Sequence, residues 1–282
     1  MSIKTEHLTH IFGKGTAFEK LALDNVTIDI EKGNFVGIIG HTGSGKSTLI
    51  QHFNRLLAPT SGKVFFGELD INLDKSKLKS IREKVGLVFQ YPEHQLFEDT
   101  VYKDVAFGPK NMGIAEQEIR DLVLEALSLV GLDKDICEKS PFDLSGGQKR
   151  RVAIAGILAM KPEVLILDEP TAGLDPKGRN EILEQINFLH KKTGNTIVLV
   201  SHSMEDIARL ATKIIVLHDG KVKYNDTPKE VFVHVKELED IGLAVPQVSY
   251  LMSELNKAGV GVRRDIYTVD EAVDEIYKLY SS

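Results

Sequence analysis

The stretch "GHTGSGKST", Gly40 to Thr48, decides the fold of this 282-residue chain. It follows an apolar run, "NFVGIIG", and precedes "LIQHFNRLL", which has the pattern of a helix. A glycine-rich turn between a strand and a helix can direct several backbone N–H groups at a phosphate, and the helix start adds a partial positive charge. The spacing G-x-x-x-x-G-K-[ST] therefore predicts a P-loop inside a βα unit.

The P-loop pattern assigns roles to its members. Lys46 is expected to reach the β- and γ-phosphates of ATP and to take part in catalysis, and Ser47 to ligate Mg²⁺. The residues expected to hold the nucleotide are Gly40, His41, Thr42, Gly43, Ser44, Gly45, Lys46, Ser47 and Thr48.

Four further apolar runs predict the other strands of one sheet. They are "KVGLVFQ" (84–90), "EVLILDE" (163–169), "NTIVLVSH" (195–202) and "KIIVLHDG" (213–220). Their nearly continuous apolar character is typical of a mostly parallel sheet that is covered on both faces. The first thirty residues and "GKVFFGELDI" (62–71) alternate instead, which predicts an antiparallel β addition to the α/β core.

Two regions read as helical. Residues from about 95 to 160 predict a helical subdomain inserted into an ATPase domain of residues 1–227. Residues 228–282 predict a small helical extension, with Pro246 near one helix start, Gly259 at its end, and Thr268 and Glu271 in capping-box spacing. The extension is too short for an independent core, so we expect its apolar faces to pack on a partner and support dimerisation. The alternative is that they pack on the core of their own chain.

Composition excludes several classes of protein. A net charge of −6 and a pI near 5.9 argue against nucleic acid as a partner, because phosphate affinity needs clustered Lys and Arg. The single cysteine, Cys137, fits a reducing compartment. No apolar run approaches the ~20 residues that cross a bilayer, so work at a membrane would require a partner.

"VLILDEP" (164–170) supplies the acids that a P-loop needs. An apolar strand that ends in two carboxylates delivers them to the sheet edge where the nucleotide is expected. Asp168 is predicted to hold Mg²⁺ through water, and Glu169 to polarise the attacking water.

"DLSGGQKRRVAIAG" (143–156) offers a second phosphate cradle at a helix start, with a positive charge expected from Lys149, Arg150 and Arg151. One nucleotide does not need two complete cradles from one chain. We therefore expect each cradle to complete the site of a second chain in a head-to-tail pair. The alternative is an ordinary helix N-cap with a tight glycine turn.

Together, these stretches resemble the ATPase subunit of an ABC transporter. The P-loop, "LSGGQ" (144–148), "VLILDEP", "TAGLD" (171–175) and "VSHSMED" (200–206) occur in that family's order over roughly residues 1–225. The resemblance implies that the signature residues Ser145, Gly146, Gly147 and Gln148 cap the γ-phosphate of ATP held by a partner subunit.

The resemblance also implies roles for single residues. Gln90 would contact Mg²⁺, Asp175 would lie at the dimer seam, and His202 would act beside the γ-phosphate. An aromatic residue near the N-terminus would stack on adenine, with Phe12 as the first choice and Phe18 as the second.

"FQYPEHQLFEDTVYKDVAFGPKNMG" (89–113) narrows the resemblance to energy-coupling factor transporters. Membership would imply a vitamin or a transition-metal ion as cargo, and a place at the cytoplasmic face of the cell membrane. The implied partners are a second ATPase, a transmembrane coupling protein and a substrate-binding membrane protein. Leu96 and Phe97 favour a docking groove, with Glu93, Glu98 and Asp99 as an acidic rim for arginines of the coupling protein.

Three alternatives remain at this stage. The chain could serve another class of ABC importer, although "YPEHQLF" and the extension argue against that. A soluble ABC ATPase acting on DNA or ribosomes is disfavoured by the acidic charge and the short step from Gln90 to Ser145. A non-catalytic regulatory module is disfavoured by Lys46, Asp168, Glu169 and His202. The cargo, and whether the second ATPase is a copy or a paralogue, are left open.

Overall fold

A computed structural model describes residues 2–280 and contains two sheets. The larger sheet has six strands in the order β10-β9-β3-β8-β7-β6. Its strands are β3 (Phe35–Ile39), β6 (Val85–Val88), β7 (Val164–Asp168), β8 (Thr196–Val200), β9 (Lys213–His218) and β10 (Lys221–Asp226). All neighbours pair in parallel except β9 and β10, which form an antiparallel hairpin.

The smaller sheet is antiparallel, as the alternating N-terminal pattern predicts. Its order is β2-β1-β4-β5. The strands are β1 (Ile3–Phe12), β2 (Lys20–Ile30), β4 (Ser61–Phe66) and β5 (Leu69–Asp70). The predicted α/β class with an antiparallel addition is confirmed.

Burial explains why the central strands are so apolar. Every residue of β3, β6, β7 and β8 is buried, because helices cover one face and the antiparallel sheet packs on the other. Phe35 and Ile39 point into the cluster formed with the helices, whereas Val36 and Ile38 point into the cluster shared with the antiparallel sheet. The alternation fixes the register of the strands. Asp168, the last residue of β7, and Glu169 after it therefore lie at the carboxyl edge of the large sheet.

Helices connect the strands. In the first two-thirds of the chain they are α1 (Lys46–Phe53), α2 (Leu78–Lys84), α3 (Val101–Met112), α4 (Glu116–Leu129), α5 (Gly146–Leu158) and α6 (Pro176–Thr193), followed by α7 (Met204–Leu210). The region predicted as a helical subdomain contains α3, α4 and α5, and a short 3₁₀ turn at Pro92–Gln95 precedes it. Its inner faces join the same apolar cluster as the large sheet.

The C-terminal extension contains α8 (Pro228–Phe232), α9 (Val235–Asp240), α10 (Gln247–Lys257) and α11 (Val269–Tyr280). Pro246 caps α10, and Thr268 accepts from the Glu271 N–H as the capping-box spacing predicts. The extension packs against the ATPase domain of its own chain through Phe232, which belongs to the main apolar core. It also has a small cluster of its own around Met252.

One face of α11 is exposed within the part of the chain that the structure describes. Val269 and Val273 lie four residues apart on this face and are 66% and 46% exposed. The expectation of a partner surface on the extension therefore concerns α11. Across residues 2–280, no helix combines the length and the apolar character needed to cross a membrane.

Candidate functional site

The P-loop is built from a crowded glycine turn ahead of α1. A Cβ at Gly40 would lie 2.4 Å from the carbonyl oxygen of Leu217, and one at Gly45 would lie 2.6 Å from that of Ala22. Gly45 also has a φ of 104°. Both positions exclude side chains for reasons that lie within this chain.

The start of α1 leaves backbone donors for a phosphate. The N–H of Leu49 is the first in the helix to reach a carbonyl, that of Gly45 at 2.8 Å. The N–H groups of Lys46, Ser47 and Thr48 precede it and have no intrahelical acceptor. The cap residue, Gly45, provides no side-chain hydrogen bond either, so these donors are free for an anion.

Lys46 is held inside the loop. Its Nζ donates to the carbonyls of Gly40 at 2.7 Å and His41 at 3.0 Å. Burial lowers the pKa of Lys46, and the carboxylates of Glu169 and Asp168 oppose that shift. The ammonium is therefore poorly solvated, which favours its use by phosphate oxygens.

Ser44 adds a second sign that the loop is shaped for a ligand. Its Oγ is buried and has no hydrogen-bond partner among residues 2–280. A buried hydroxyl without a partner costs about 1–3 kcal/mol, a cost that a bound phosphate oxygen would remove. The free donors and this hydroxyl fit the triphosphate of ATP.

Asp168 and Ser47 fit a magnesium ion. Asp168 ends β7 and is 6% exposed. Burial raises its pKa, while a hydrogen bond from Ser47 lowers it. Carboxylate and hydroxyl oxygens are the ligands Mg²⁺ prefers, and an ion here would restore the charged carboxylate.

Glu169 is fixed between two other predicted residues. Its Oε1 is 2.7 Å from His202 Nε2, and its Oε2 accepts from Gln90 Nε2 at 3.1 Å. Its backbone has a φ of 49°, an uncommon conformation for a residue with a side chain. The structure therefore brings Glu169, His202 and Gln90 together, and their catalytic and Mg²⁺-binding roles stay a prediction.

The signature lies at the start of α5, where Ser145 is the N-cap. Gln148 N–H donates to Ser145 Oγ at 3.3 Å, and Ser145 N–H donates to Gln148 Oε1 at 3.1 Å. This is the capping box of the alternative interpretation, and it coexists with an exposed glycine at 146 and a half-buried one at 147. Asp175 caps α6 nearby and accepts from Gly178 N–H.

A cleft of about 760 Å³ lies beside the signature. Its lining includes Ser145, Gly147, Gln148 and Asp175. Among the residues that the structure describes, the lining contains none of the P-loop. The signature and the P-loop of one chain thus do not share a cleft.

The predicted positive charge beside the signature needs correction. Arg150 is 2% exposed and is an internal brace. It donates two hydrogen bonds to Glu93, at 2.7 and 3.0 Å, and also bonds the carbonyls of Pro170 and Ala172. Arg151 pairs with Glu181. Of the three basic residues, only Lys149 remains as a candidate for a phosphate contact.

The same brace overturns part of the predicted acidic rim. Both carboxylate oxygens of Glu93 are used by Arg150, so Glu93 is not an acceptor for arginines of another protein. Nothing in the isolated motif "YPEHQ" shows this, because the two residues are far apart in sequence. Asp99 pairs with Lys103 at the surface and, with Glu98, remains a predicted rim residue.

Of the two aromatic residues predicted to stack on adenine, Phe12 is the one held in place by a neighbouring ring. It ends β1, is 41% exposed, and packs edge-on against His10 with ring centroids 4.4 Å apart. Phe18 is 88% exposed in the loop before β2. Phe12 remains the predicted stacking residue.

Comparison with known proteins finds relatives that match nearly the whole chain. Residues 23–172 match the family described as "ABC transporter". Energy-coupling factor transporter ATP-binding protein EcfA2 of Clostridium tetani is 56% identical, over all of this chain and 98% of the relative. Its counterpart in Clostridium perfringens is also 56% identical, over 99% of this chain and 98% of its own.

Solved structures show the same fold. The cbiO1 subunit of Clostridium perfringens, part of the ABC transporter complex cbiONQ, is 40% identical with a TM-score of 0.76, over 89% of this chain and 98% of that chain. The ATP-binding cassette MJ0796, solved as a dimer bound to ADP and Pi, is 34% identical with a TM-score of 0.72, over 80% and 98%. The chain therefore belongs to the ABC transporter family, as an ATP-binding subunit of the energy-coupling factor type.

Proposed function

We propose that this chain hydrolyses ATP in a head-to-tail pair with a second ATPase, a copy or a paralogue, and so powers uptake of a vitamin or a transition-metal ion. The family hydrolyses ATP to power transport. The pairing, the cargo and the residue roles are the proposal. Its main support is the contrast between the glycines of the two phosphate cradles.

The signature glycines have no explanation within their own chain. A Cβ at Gly146 or Gly147 would meet nothing within 4 Å, and neither residue has a positive φ. Yet glycine at a helical position costs about 1 kcal/mol relative to alanine. The P-loop glycines at 40 and 45 are crowded by this chain itself. Two glycines at the start of α5 are explained if the γ-phosphate of ATP bound to a partner subunit approaches their backbone closely.

The catalytic step follows from the groups around Glu169. Bound Mg²⁺ would neutralise part of the charge on the phosphates. Glu169 would accept a hydrogen bond from the attacking water and so polarise it. His202 and Gln90 each hold one of its carboxylate oxygens, which limits the positions that this water can take. Lys46 meets the charge on the β- and γ-phosphates.

Glu169→Gln tests these assignments. The amide keeps the shape of the side chain but cannot act as a base. We expect ATP to bind normally, ATP-dependent dimers to persist longer, and turnover to fall by 10²–10⁴-fold, the usual contribution of a general base. Wild-type ATPase activity in this variant would overturn the role of Glu169.

We further propose that a groove beside the signature helix receives the transmembrane coupling protein. The groove has a volume of about 530 Å³. Phe97 and Phe107 form its apolar floor, with ring centroids 5.0 Å apart, and they are 58% and 45% exposed. Lys79, Arg82 and Glu83 form a polar edge. An apolar floor with a polar edge is typical of a site for a partner's helix.

The groove is well placed to transmit movement. Val152 and Gly156 of α5 line it, and the signature begins the same helix. Arg150, on that helix, also braces the turn containing Glu93 against the carbonyls that follow Glu169. Displacement of the groove would therefore reach the signature through one rigid helix, and the segment after Glu169 through one buried ion pair.

Phe107→Glu tests the groove. We expect the variant to retain ATP binding but to lose co-purification with a multispanning membrane protein. The matched control is Phe188→Glu on α6, because Phe188 is similarly exposed, at 51%, and lies outside the groove. Loss of the partner in both variants, or in neither, would contradict the proposed docking site.

The α11 face is our proposed contribution of the extension to dimer stability. Val269→Asp together with Val273→Asp should weaken the nucleotide-free dimer, since each replaces an exposed apolar contact by a charge. Sedimentation equilibrium without nucleotide measures this. An unchanged dimer constant would assign the extension another role.

A further inference from the structure

The β9–β10 turn is fastened to the P-loop. His218 pairs with Lys221 across a two-residue turn, Asp219-Gly220, in which both residues have positive φ, 47° and 75°. Asp-Gly is among the sequences that this type of turn favours. Gly220 N–H donates to the Ser44 carbonyl at 3.1 Å, so the turn is held in place beside the nucleotide loop.

Three side chains with metal-ligand chemistry converge at this junction. His41 Nε2 is 3.4 Å from Asp219 Oδ1, and His218 Nε2 is 3.4 Å from Asp219 Oδ2. One ligand atom from each of the three residues lies within 4.8 Å of the others. Zn²⁺ binds nitrogen and oxygen at about 2.0–2.2 Å, and in a tetrahedral site such ligands are about 3.3–3.6 Å apart. Each histidine has this spacing to one oxygen of Asp219, His41 to Oδ1 and His218 to Oδ2. A tetrahedral ion would draw the three ligand atoms closer than the 4.8 Å within which they lie.

A backbone carbonyl orients the ring of His41 toward Asp219. His41 Nδ1 is 2.8 Å from the Thr42 carbonyl, which can only accept, so Nδ1 carries a hydrogen. The other ring nitrogen, Nε2, faces a carboxylate oxygen of Asp219. Nε2 of His41 is a buried atom without a hydrogen-bond partner among residues 2–280. A cation, either a proton or a metal ion, stabilises a ring nitrogen that faces a carboxylate.

The surroundings suit a metal ion that exchanges with solvent. A backbone carbonyl that orients a ligand histidine is the usual outer support of a metal site. The side chains of His41 and His218 are 31% and 35% exposed, and that of Asp219 is 75% exposed. An ion can therefore enter from solvent, and water can complete its coordination.

We propose that His41, His218 and Asp219 bind a transition-metal dication of the Zn²⁺ class. Two imidazoles and one carboxylate favour Zn²⁺, Co²⁺ or Ni²⁺ over Mg²⁺, which prefers oxygen ligands. This site is separate from the Mg²⁺ position at Ser47 and Asp168, and does not depend on the cargo of the transporter.

The site is coupled to the nucleotide loop through His41. The carbonyl of His41 accepts from Lys46 Nζ at 3.0 Å, and the ring of the same residue would ligate the metal. An ion that ties His41 to the hairpin thus restrains the loop from which Lys46 must move to meet phosphate. Metal and ATP therefore affect each other's affinity by the same factor.

Calorimetric titration of the full chain with ZnCl₂, without nucleotide or Mg²⁺, tests the site. Asp219→Asn removes the ligand charge but keeps a residue that tolerates positive φ, so the turn is retained. His218→Gln removes a second ligand. We expect each variant to bind Zn²⁺ at least about 10-fold more weakly, the equivalent of about 1.4 kcal/mol. His94→Ala, an exposed histidine elsewhere, should bind as wild type does.

The catalytic Glu169–His202 pair is the competing position for added metal, so His202→Ala is titrated in parallel. We expect it to retain the high-affinity Zn²⁺ site. Loss of that site in His202→Ala but not in Asp219→Asn would place the ion at the catalytic glutamate and overturn the proposal. Equal affinity in wild type and Asp219→Asn would do the same. In the Co²⁺-loaded wild type, visible bands typical of tetrahedral coordination should appear and be lost in Asp219→Asn.

Discussion

Gly147→Ala tests whether glycine at this position is required by the fold of this chain or by the nucleotide of its partner. Gly147 is the second residue of α5 and lies at an exposed helix start. A Cβ there would meet nothing within 4 Å, and the backbone does not have a positive φ. Alanine should therefore stabilise the isolated chain by about 0.5–1 kcal/mol, because it reduces the conformational entropy of the unfolded state.

The same methyl group should damage activity. If the γ-phosphate of a partner's ATP approaches the glycine backbone, the Cβ displaces it, and a misplacement of about 1 Å can cost on the order of 100-fold in rate. The assay pairs urea unfolding of the nucleotide-free chain with steady-state ATPase measurements at saturating MgATP. We expect a higher unfolding midpoint and a much lower turnover in one variant.

Gly156→Ala is the matched control on the same helix. Its Cβ would lie 3.7 Å from the Asp104 carbonyl oxygen, an ordinary contact, and far along α5 from the signature. Because Gly156 lines the groove proposed for the coupling protein, ATPase activity is measured on the chain without that partner. We expect a comparable gain in stability with ATPase activity retained. If Gly147→Ala were stabilised and fully active, the explanation of the bare glycines by a second chain would be wrong.

Two further predictions concern buried polar groups. Glu93→Ala leaves the buried Arg150 without its carboxylate partner and should lower the unfolding free energy by about 3–5 kcal/mol. Asp99→Ala breaks an exposed ion pair and should lower it by less than about 1 kcal/mol. Equal losses in the two variants would contradict the internal role of Arg150. Burial lowers the pKa of His52 from 6.5 to about 4. As the pH falls, the unfolded chain therefore takes up a proton on His52 at a higher pH than the folded chain does. The unfolding free energy should fall between pH 6.5 and pH 4, by up to about 3 kcal/mol. Unfolding of His52→Gln should show a flatter pH profile across that window, and a profile as steep as wild type would refute the assignment.

The sequence predicts most of the fold because local patterns carry it. Continuous apolar runs mark β3, β6, β7 and β8, whose residues are all buried. The P-loop and the acids after β7 are close to each other because parallel strands end at one edge. Ion pairs between residues that are far apart in the sequence cannot be predicted from such local patterns.

Arg150 shows where sequence reasoning fails. In "GGQKRR" it looks like one of three surface cations, but the α-helical period buries it while Lys149 and Arg151 are only half-buried. Its partner, Glu93, lies in a turn that only the tertiary fold brings near. The cluster at His41, His218 and Asp219 is similar, since it joins a loop and a hairpin from opposite ends of the domain.

The central claim is that each nucleotide is enclosed by two chains, and mixing two defective variants tests it most directly. In a Glu169→Gln background, Lys46→Ala removes one cradle and Gly147→Asp the other. The protein concentration is kept below the range in which the nucleotide-free dimer forms. Sedimentation velocity with MgATP should then show dimers of Glu169→Gln alone, only monomers for each double variant, and dimers again when the two are mixed, since one intact composite site then forms. A mixture that stays monomeric while Glu169→Gln dimerises would contradict the account.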